Sequence, residues 1–300
     1  AVGLDKEIEI PWGQVEFTPL EGVFTFGATM DQDYGMLFHV GITAPKKYAP
    51  EIRGLWVAVE DYLKKHSIYK GKAIYGVGNV TRDGVEEIKF IDPYAIDPDS
   101  VAYSQDVFNA LRYAVWGPIR TASLHRAAGL KLNTKTLLHG TYGTGKSLAG
   151  ALTARSAVNN GWTFIQTKTG GNLDEVRRVL KTAELYAPAV VFIEDIDILM
   201  TADQNQMATL LEMFDGVSSK NREVMVLMTS NFIDTMNKGM TRAGRIDSTI
   251  EIAGLDEQGM ERLISNSFSN RTPYDAHRDN GVYEKSLKVL REEDFQNRQE

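Results

Sequence analysis

The chain has 300 residues, of which 43% are hydrophobic and 24% are charged, and its formal net charge is −7. That length suits two or three domains of roughly 100–150 residues, and the composition is ordinary for a soluble globular protein. The negative charge disfavours a broad nucleic-acid-binding surface. Because the chain has no cysteine, disulfides, zinc–thiolate sites and thiol catalysis are excluded, and a reducing compartment is favoured.

The N-terminal stretch AVGLDKEIEIPWG lacks the charged start and apolar core of a signal peptide. No apolar run approaches the roughly 20 residues that a membrane-spanning helix needs. We therefore expect a soluble cytoplasmic protein without a membrane partner.

Residues 1–97 are expected to form an α+β domain. Short runs of β-branched and aromatic residues, interrupted by Gly, Pro and Asp, predict strands within residues 6–10, 14–20, 22–28 and 35–42. A helix is predicted after Pro50, because apolar residues repeat along one face at Ile52, Leu55, Trp56, Val59 and Leu63. The runs KAIYGVG (72–78) and VEEIKFI (85–91) are joined through TRDG, which is typical of a hairpin turn.

Residues 98–253 have a different pattern, in which helices alternate with apolar strands after the Pro- and Asp-rich linker IDPYAIDPDS. The predicted strands are KTLLHG, TFIQTK, AVVFIED and EVMVLMTSN, and the predicted helices cover 147–158, 172–186 and 203–214. This alternation predicts an α/β fold with a parallel sheet and helices on both faces. Residues 254–300 are polar and are predicted to be mostly helical.

The segment GTYGTGKS (140–147) matches the phosphate-loop pattern G-x-x-x-x-G-K-[ST] in full. It follows a predicted strand and opens a predicted helix, as such a loop requires. Its backbone N–H groups would wrap a β-phosphate, Lys146 would reach the β- and γ-phosphates, and the Ser147 hydroxyl would ligate magnesium. The residues predicted to bind the nucleotide here are Gly140, Thr141, Tyr142, Gly143, Thr144, Gly145, Lys146, Ser147 and Leu148.

The strand VVFIEDID (190–197) reaches two adjacent acids, Glu194 and Asp195. Acids at the carboxyl end of a buried parallel strand lie where ligands bind in open α/β sheets. Because adjacent strand residues point to opposite sides, the two acids are expected to have different roles.

Two further polar features follow in the chain. EVMVLMTSN ends in Asn231, which can hold the attacking water or contact the γ-phosphate if its strand lies beside the phosphate loop. MTRAGRID carries Arg242 and Arg245, and an arginine supplied by a neighbouring subunit is worth about 10³–10⁵ in rate. Each feature alone is weak, because strands often end in Ser-Asn at turns and surface arginines commonly form salt bridges.

Together and in this order, the four features resemble the AAA subfamily of AAA+ ATPases over roughly residues 101–265. LLEMFDGVSS is similar to a helix end of that family, and TSNFIDTMNKGMTRAGRID is similar to its second region of homology. The resemblance implies that Asn231 is the sensor and that Arg242 and Arg245 are paired arginine fingers. It also implies that Glu194 takes the place of the magnesium acid and Asp195 that of the water-polarising base.

The resemblance carries further expectations about the whole assembly. Members of the family form rings, usually hexamers, with ATP and Mg²⁺ at subunit interfaces, which implies a homo-oligomer that remodels or moves a macromolecule. We expect a protein substrate or adaptor; a nucleic-acid motor or loader and a slow, nucleotide-gated scaffold are the alternatives. Ile96 and Asp97 align loosely with residues that pack the adenine, and residues 254–300 with the small helical lid.

The chain also departs from the family pattern. Thr141 and Tyr142 replace the usual Pro-Pro, and the acids are reversed, as in the AAA proteins that assemble mitochondrial complex III. The stretch QTKTGGNLD, with Lys168 nearest the pore position, lacks the aromatic residue with which threading members grip a polypeptide. Because Glu194 is one methylene longer and Asp195 one shorter than the usual acids, we expect a competent but slower hydrolytic site.

Overall fold

A computed structural model describes residues 12–31, 35–76, 79–81, 84–86, 88–167, 172–200, 209–210, 212–214, 216, 223–232 and 246–269. Several predictions fall outside these residues. They concern the strand at 6–10, the pore-loop residues 168–170, both arginine fingers and most of the lid.

The N-terminal part begins with an antiparallel sheet of three strands in the order β1-β2-β3, formed by Gly13–Phe17, Gly22–Asp31 and Gly35–Thr43. Helix α1 follows over Ala49–His66. Ile52, Trp56 and Val59 are half-buried on one face of α1, whereas Leu55 and Leu63, predicted for the same face, are exposed. The strands predicted within 14–20, 22–28 and 35–42 and the helix after Pro50 are thus present.

The main sheet has seven strands, and all its neighbouring pairs are parallel except the last. In chain order the strands are β4 (Ala73–Tyr75), β7 (Lys89–Phe90), β8 (Lys135–His139), β9 (Thr163–Gln166), β10 (Ala189–Ile193), β11 (Val224–Ser230) and β12 (Ser248–Glu251). From one edge of the sheet to the other, they are arranged as β12-β8-β11-β10-β9-β4-β7. The predicted α/β fold with a parallel sheet is confirmed.

Two strands of this sheet come from before residue 97, where the sequence predicted a separate domain. β4 lies parallel to β9, with Ile74 opposite Ile165 in the core, and β7 pairs antiparallel with β4. The predicted hairpin is present as β5 (Asn79–Thr81) and β6 (Gly84–Glu86), but the outer ends of the same two runs join the main sheet. The predicted boundary at 97/98 therefore cuts the sheet.

Helices cover both faces of the main sheet. The chain order is α2 (Gln105–Leu111), a π-helical turn (Arg112–Trp116), α3 (Gly117–Arg120), α4 (Ala122–Ala127), α5 (Lys146–Asn159), α6 (Leu173–Leu185), α7 (Ile196–Met200) and α8 (Glu257–Ser269). Short 3-10 turns lie at Thr18–Leu20, Lys46–Tyr48 and Pro98–Ser100. Among the described residues, no helix is long and apolar enough to cross a bilayer.

Alternation along β10 divides the core into two layers. Val190 and Phe192 pack in the layer that contains α5, whereas Val191 and Ile193 pack in the layer that contains α6. Every side chain of β10 is buried because each face of the strand is covered by a helix. The strand ends at Ile193, so the chain carries Glu194 and Asp195 out of the core at the carboxyl edge of the sheet.

Candidate active site

The glycine-rich loop connects β8 to α5, and its backbone requires its glycines. Gly140, Gly143 and Gly145 have φ angles of 152°, 79° and 99°, a region that side chains disfavour. A Cβ atom on Gly140 would also collide with the carbonyl oxygen of Ile252. Helix α5 begins at Lys146 immediately after the left-handed Gly145, so the free N–H groups of its first turn face the loop.

The ammonium of Lys146 is held inside this loop. Its side chain is 7% exposed, and Nζ donates to the carbonyl oxygens of Gly140 at 2.8 Å and Thr141 at 2.6 Å. Burial lowers the pKa of Lys146, and the nearby carboxylates of Asp195 and Asp197 oppose that shift. A buried ammonium that donates to two uncharged carbonyl oxygens suits an anionic ligand, which would supply the negative charge that the loop lacks.

A cleft of about 350 Å³ opens at the loop. It is lined by Tyr142, Gly143, Gly145, Lys146, Ser147, Leu148, Asp195, Thr229 and Asn231. Six of the nine predicted loop residues, the predicted base and the predicted sensor thus line one cleft, whereas Gly140, Thr141 and Thr144 are not among its lining residues. The cleft forms because β8, β11 and β10 are neighbours in the sheet and end at the same edge.

Asp195 has an unusual backbone conformation that turns it toward the cleft. Its φ is 48°, in the left-handed region, and its N–H donates to the hydroxyl of Thr229 at 2.9 Å. The side-chain amide of Asn231 donates to its carboxylate, with Nδ2 2.9 Å from Oδ1. Strained residues of this kind concentrate at functional sites, and here the strain directs a carboxylate into the phosphate cleft.

Glu194 has a different environment from that of Asp195. Its Oε2 accepts a hydrogen bond from Nε2 of Gln166 at 3.0 Å, and it is not among the residues that line the cleft. Continued alternation from Phe192 places Glu194 on the α5 side of the sheet. The two acids thus occupy different positions, as the sequence predicted.

The oxygen donors of this site are of the kind that suits Mg²⁺. Mg²⁺ is commonly held by one or two carboxylates, water and substrate phosphates rather than by a cage of protein ligands. Ser147 lies in the first turn of α5, and Glu194 directly follows β10, whose Phe192 packs in the layer that contains α5. Within the described part of the chain, no group of three or more His, Cys, Asp or Glu could hold a metal alone.

Asp197 is a site residue that the sequence reasoning did not select. It is 7% exposed in the first turn of α7, and its Oδ1 accepts from the backbone N–H of Asn231 at 3.4 Å. The third acid of VVFIEDID, placed two residues after the pair, was the signal that could have identified it.

Tyr103 was also not selected, although its side chain contacts the phosphate loop. Its buried hydroxyl donates to the carbonyl oxygen of Gly145 at 2.8 Å, and burial raises the pKa of that hydroxyl. Its own carbonyl oxygen accepts from the guanidinium of Arg262 in α8 at 3.0 Å. Tyr103 therefore connects the loop to the first helix of the predicted lid.

Ile96 and Asp97 do not reach the cleft. The carbonyl oxygen of Ile96 accepts from Arg155 of α5 at 3.3 Å, and the carboxylate of Asp97 caps the short turn that follows it. Their packing against the adenine stays a prediction, and the segment that contacts the phosphate loop lies a few residues later, at Tyr103. Arg242 and Arg245 lie outside the described residues.

A parallel sheet with a glycine-rich loop between β8 and α5 and acids at the end of β10 defines a P-loop nucleotide-binding domain. Residues 136–253 match the model of the ATPase family associated with various cellular activities (AAA). This segment of the chain is therefore similar to AAA ATPase domains.

The relatives of this chain include proteasome subunits. It is 30% identical over 176 residues to the 26S proteasome regulatory subunit 6B homolog of Aspergillus niger, a match that covers 54% of this chain and 42% of the relative. It is 28% identical over 222 residues to the probable 26S proteasome regulatory subunit 4 of Caenorhabditis elegans, covering 68% and 50%. A putative cell division cycle ATPase of Plasmodium falciparum is 26% identical over 197 residues, covering 60% and 16%. The chain thus spans half or less of the length of these relatives.

Proposed function

We propose that this chain is an ATP hydrolase that couples turnover to the remodelling or movement of a macromolecule, in the first place a protein. The observation that carries this proposal is the meeting of Lys146, Asp195 and Asn231 in one cleft at the start of α5. A structural glycine turn would need neither a buried ammonium nor a carboxylate held on the opposite wall of the cleft.

The residues of the chain divide the chemistry as follows. Lys146 and the free N–H groups of α5 bind the phosphates and stabilise charge that develops on the γ-phosphoryl group. Ser147 and Glu194 would hold Mg²⁺, which neutralises phosphate charge when bound. Asp195 would orient the attacking water and accept its proton, and this role is supported by the hydrogen bond that its carboxylate accepts from the amide of Asn231.

The reversed acids are compatible with this division. Asp195 has a shorter side chain than the usual Glu, but its left-handed backbone brings its carboxylate to the cleft wall. From the combined motifs we also propose the AAA subfamily, with the reversed acid order Glu-Asp that is found in the AAA proteins that assemble mitochondrial complex III. Turnover slower than in a Glu-based site is expected because the attacking water must lie closer to the protein.

We further propose that the chain acts as a ring of identical subunits, with six as the expected number. Arg242 and Arg245 would complete the site of the neighbouring subunit, so an isolated subunit should turn over poorly.

A protein substrate is favoured by the names of the relatives, which include proteasome regulatory subunits, and by the net charge of −7. A nucleic-acid motor or loader is the second candidate, since Lys168 stands where threading proteins have an aromatic residue. A slow, nucleotide-gated scaffold is the third. The cytoplasmic location and the N-terminal substrate or adaptor domain also remain predictions.

ATPase measurements on purified protein separate these candidates. Turnover stimulated only by a protein fraction supports the first, and copurification with a hydrolysis-dead variant would identify that partner. Stimulation by DNA or RNA that weakens steeply with salt would support the motor. Assembly with ATP but negligible turnover under every condition would support the scaffold, and absence of ATP binding would contradict all three.

A further inference from the structure

The end of β9 carries a polar side chain that the proposed chemistry does not use. Gln166 is the last residue of that strand, and its Nε2 donates to Oε2 of Glu194 at 3.0 Å. Its main chain is also held, because its carbonyl oxygen accepts from the N–H of Gly76 at 2.7 Å. The amide is therefore presented from a fixed strand end rather than from a loop.

Strand register explains why the two side chains meet. β9 and β10 are parallel neighbours, and Gln166 lies opposite Phe192. Phe164 and Phe192, the preceding side chains on the α5 face, have ring centroids 6.0 Å apart. Gln166 lies two residues after Phe164, and Glu194 lies two residues after Phe192, just past the end of β10. The hydrogen bond between them therefore forms where the two strands end, beyond the two phenylalanine rings.

The length of the Glu194 side chain explains why its hydrogen bond with Gln166 matters. A glutamate has one more rotatable bond than an aspartate and loses more side-chain entropy when it is ordered. An amide donor on one carboxylate oxygen restricts that freedom and leaves the other oxygen available as an acceptor. Hydrogen bonds of this charge-assisted kind are stronger than neutral ones, and comparable partners of metal ligands change metal affinity by about 10–100-fold when mutated.

We infer that Gln166 is a positioning residue that holds Glu194 for Mg²⁺ binding and so compensates for the longer acid. The inference rests on the proposed function, since it requires a nucleotide-bound metal. Gln166 itself does not contact the substrate in this role. The effect of Gln166 on metal affinity should therefore depend on whether residue 194 is Glu or Asp, which would not hold for a purely structural glutamine.

The test introduces Gln166→Met into two proteins, the otherwise unmodified chain and the Glu194→Asp variant. Methionine keeps the length of the side chain and removes the hydrogen-bond donor. Mn²⁺ binding to the ADP complex is measured by electron paramagnetic resonance, and ADP binding is measured separately in EDTA. We expect Gln166→Met to weaken Mn²⁺ binding about 10–100-fold while ADP affinity in EDTA is unchanged. In Glu194→Asp, whose shorter carboxylate cannot make the same bond, Gln166→Met should add little further loss.

Three results would overturn the inference. They are wild-type Mn²⁺ affinity in Gln166→Met, an equal loss in both backgrounds, and loss of ADP binding in EDTA, which would reveal a role in the fold. Failure of the unmodified protein to bind any nucleotide would overturn the proposed function itself, and that outcome is distinguishable from the other three.

Discussion

Asn231 donates its side-chain amide to Asp195, with Nδ2 2.9 Å from Oδ1, across the tips of two adjacent parallel strands. The backbone N–H of the same asparagine donates to Asp197 at 3.4 Å. One residue at the end of β11 therefore contacts two carboxylates that follow β10. The arrangement connects the residue expected to detect the γ-phosphate with the residue expected to activate water.

Replacing Asn231 by alanine should lower kcat with little change in ATP affinity. The substitution removes a hydrogen bond to a charged group, worth roughly 1.5–3 kcal/mol, which corresponds to about a tenfold to hundredfold loss in rate. Steady-state ATPase assays give kcat, and nucleotide titration gives the affinity. Asn160→Ala, at an exposed position just after α5, removes the same amide away from the cleft and serves as a control; an Asn231→Ala variant with the same kcat as that control would contradict the role.

ATP affinity should decrease as the pH rises through the alkaline range that lies below the ordinary pKa of a lysine side chain, about 10.4. Burial lowers the pKa of Lys146, so this lysine loses its charge before an exposed lysine does. The unfolded chain then binds more protons than the folded one, so Lys146 makes the nucleotide-free protein more stable with rising pH in that window. Titrations of ATP binding and urea unfolding against pH should therefore show opposite slopes.

Lys146→Ala provides the control for both slopes. This variant should bind ATP very weakly at every pH and should lack the lysine-dependent part of the stability change. Unchanged ATP affinity in Lys146→Ala would contradict the phosphate-loop assignment, and equal pH dependence with and without Lys146 would contradict the titration argument.

Tyr103→Phe should lower the free energy of unfolding by about 0.5–1.5 kcal/mol, the usual net contribution of one hydrogen bond. The cost is modest because the carbonyl oxygen of Gly145 still accepts from the N–H of Ala149. Urea denaturation measures the change. Tyr113→Phe is the matched control, since Tyr113 is exposed nearby in the chain and should lose almost nothing. Equal effects of the two substitutions would show that the contact with Gly145 contributes no stability.

Arg242→Ala and Arg245→Ala should leave ATP binding nearly intact and reduce turnover by as much as about 10³–10⁵, as expected for arginines supplied by a neighbour. Mixing a finger-less variant with Lys146→Ala subunits should restore part of the activity, because each subunit supplies what the other lacks. Native mass spectrometry verifies that mixed rings form. Mixed rings without any recovered turnover would argue against sites shared between subunits.

Local patterns predicted the parts of this molecule that depend on neighbouring residues. The phosphate loop, the strand before it and the helix after it are encoded within one contiguous segment, and the parallel sheet follows from the alternation of strands and helices. The periodicity after Pro50 likewise predicted α1.

Long-range pairings were not predictable in the same way. The strand that contains Ile74 joins the main sheet through pairing with β9, about ninety positions later, and a hairpin pattern gives no sign of it. Tyr103 meets Gly145 and Gln166 meets Glu194 because the fold brings distant segments together. The direction of Asp195 depends on its left-handed backbone and on contacts with Thr229 and Asn231, which come from a different strand.

The division of work between the two acids is tested most directly by measuring ATP binding and turnover in Asp195→Asn and Glu194→Gln. We predict that Asp195→Asn binds ATP with nearly unchanged affinity and retains it, with turnover reduced by about 10²–10⁴ as for loss of a general base. Glu194→Gln should mainly raise the Mg²⁺ concentration needed for activity and lower turnover. Retention of ATP by Glu194→Gln, together with continued turnover by Asp195→Asn, would contradict the assignment and reverse the two roles.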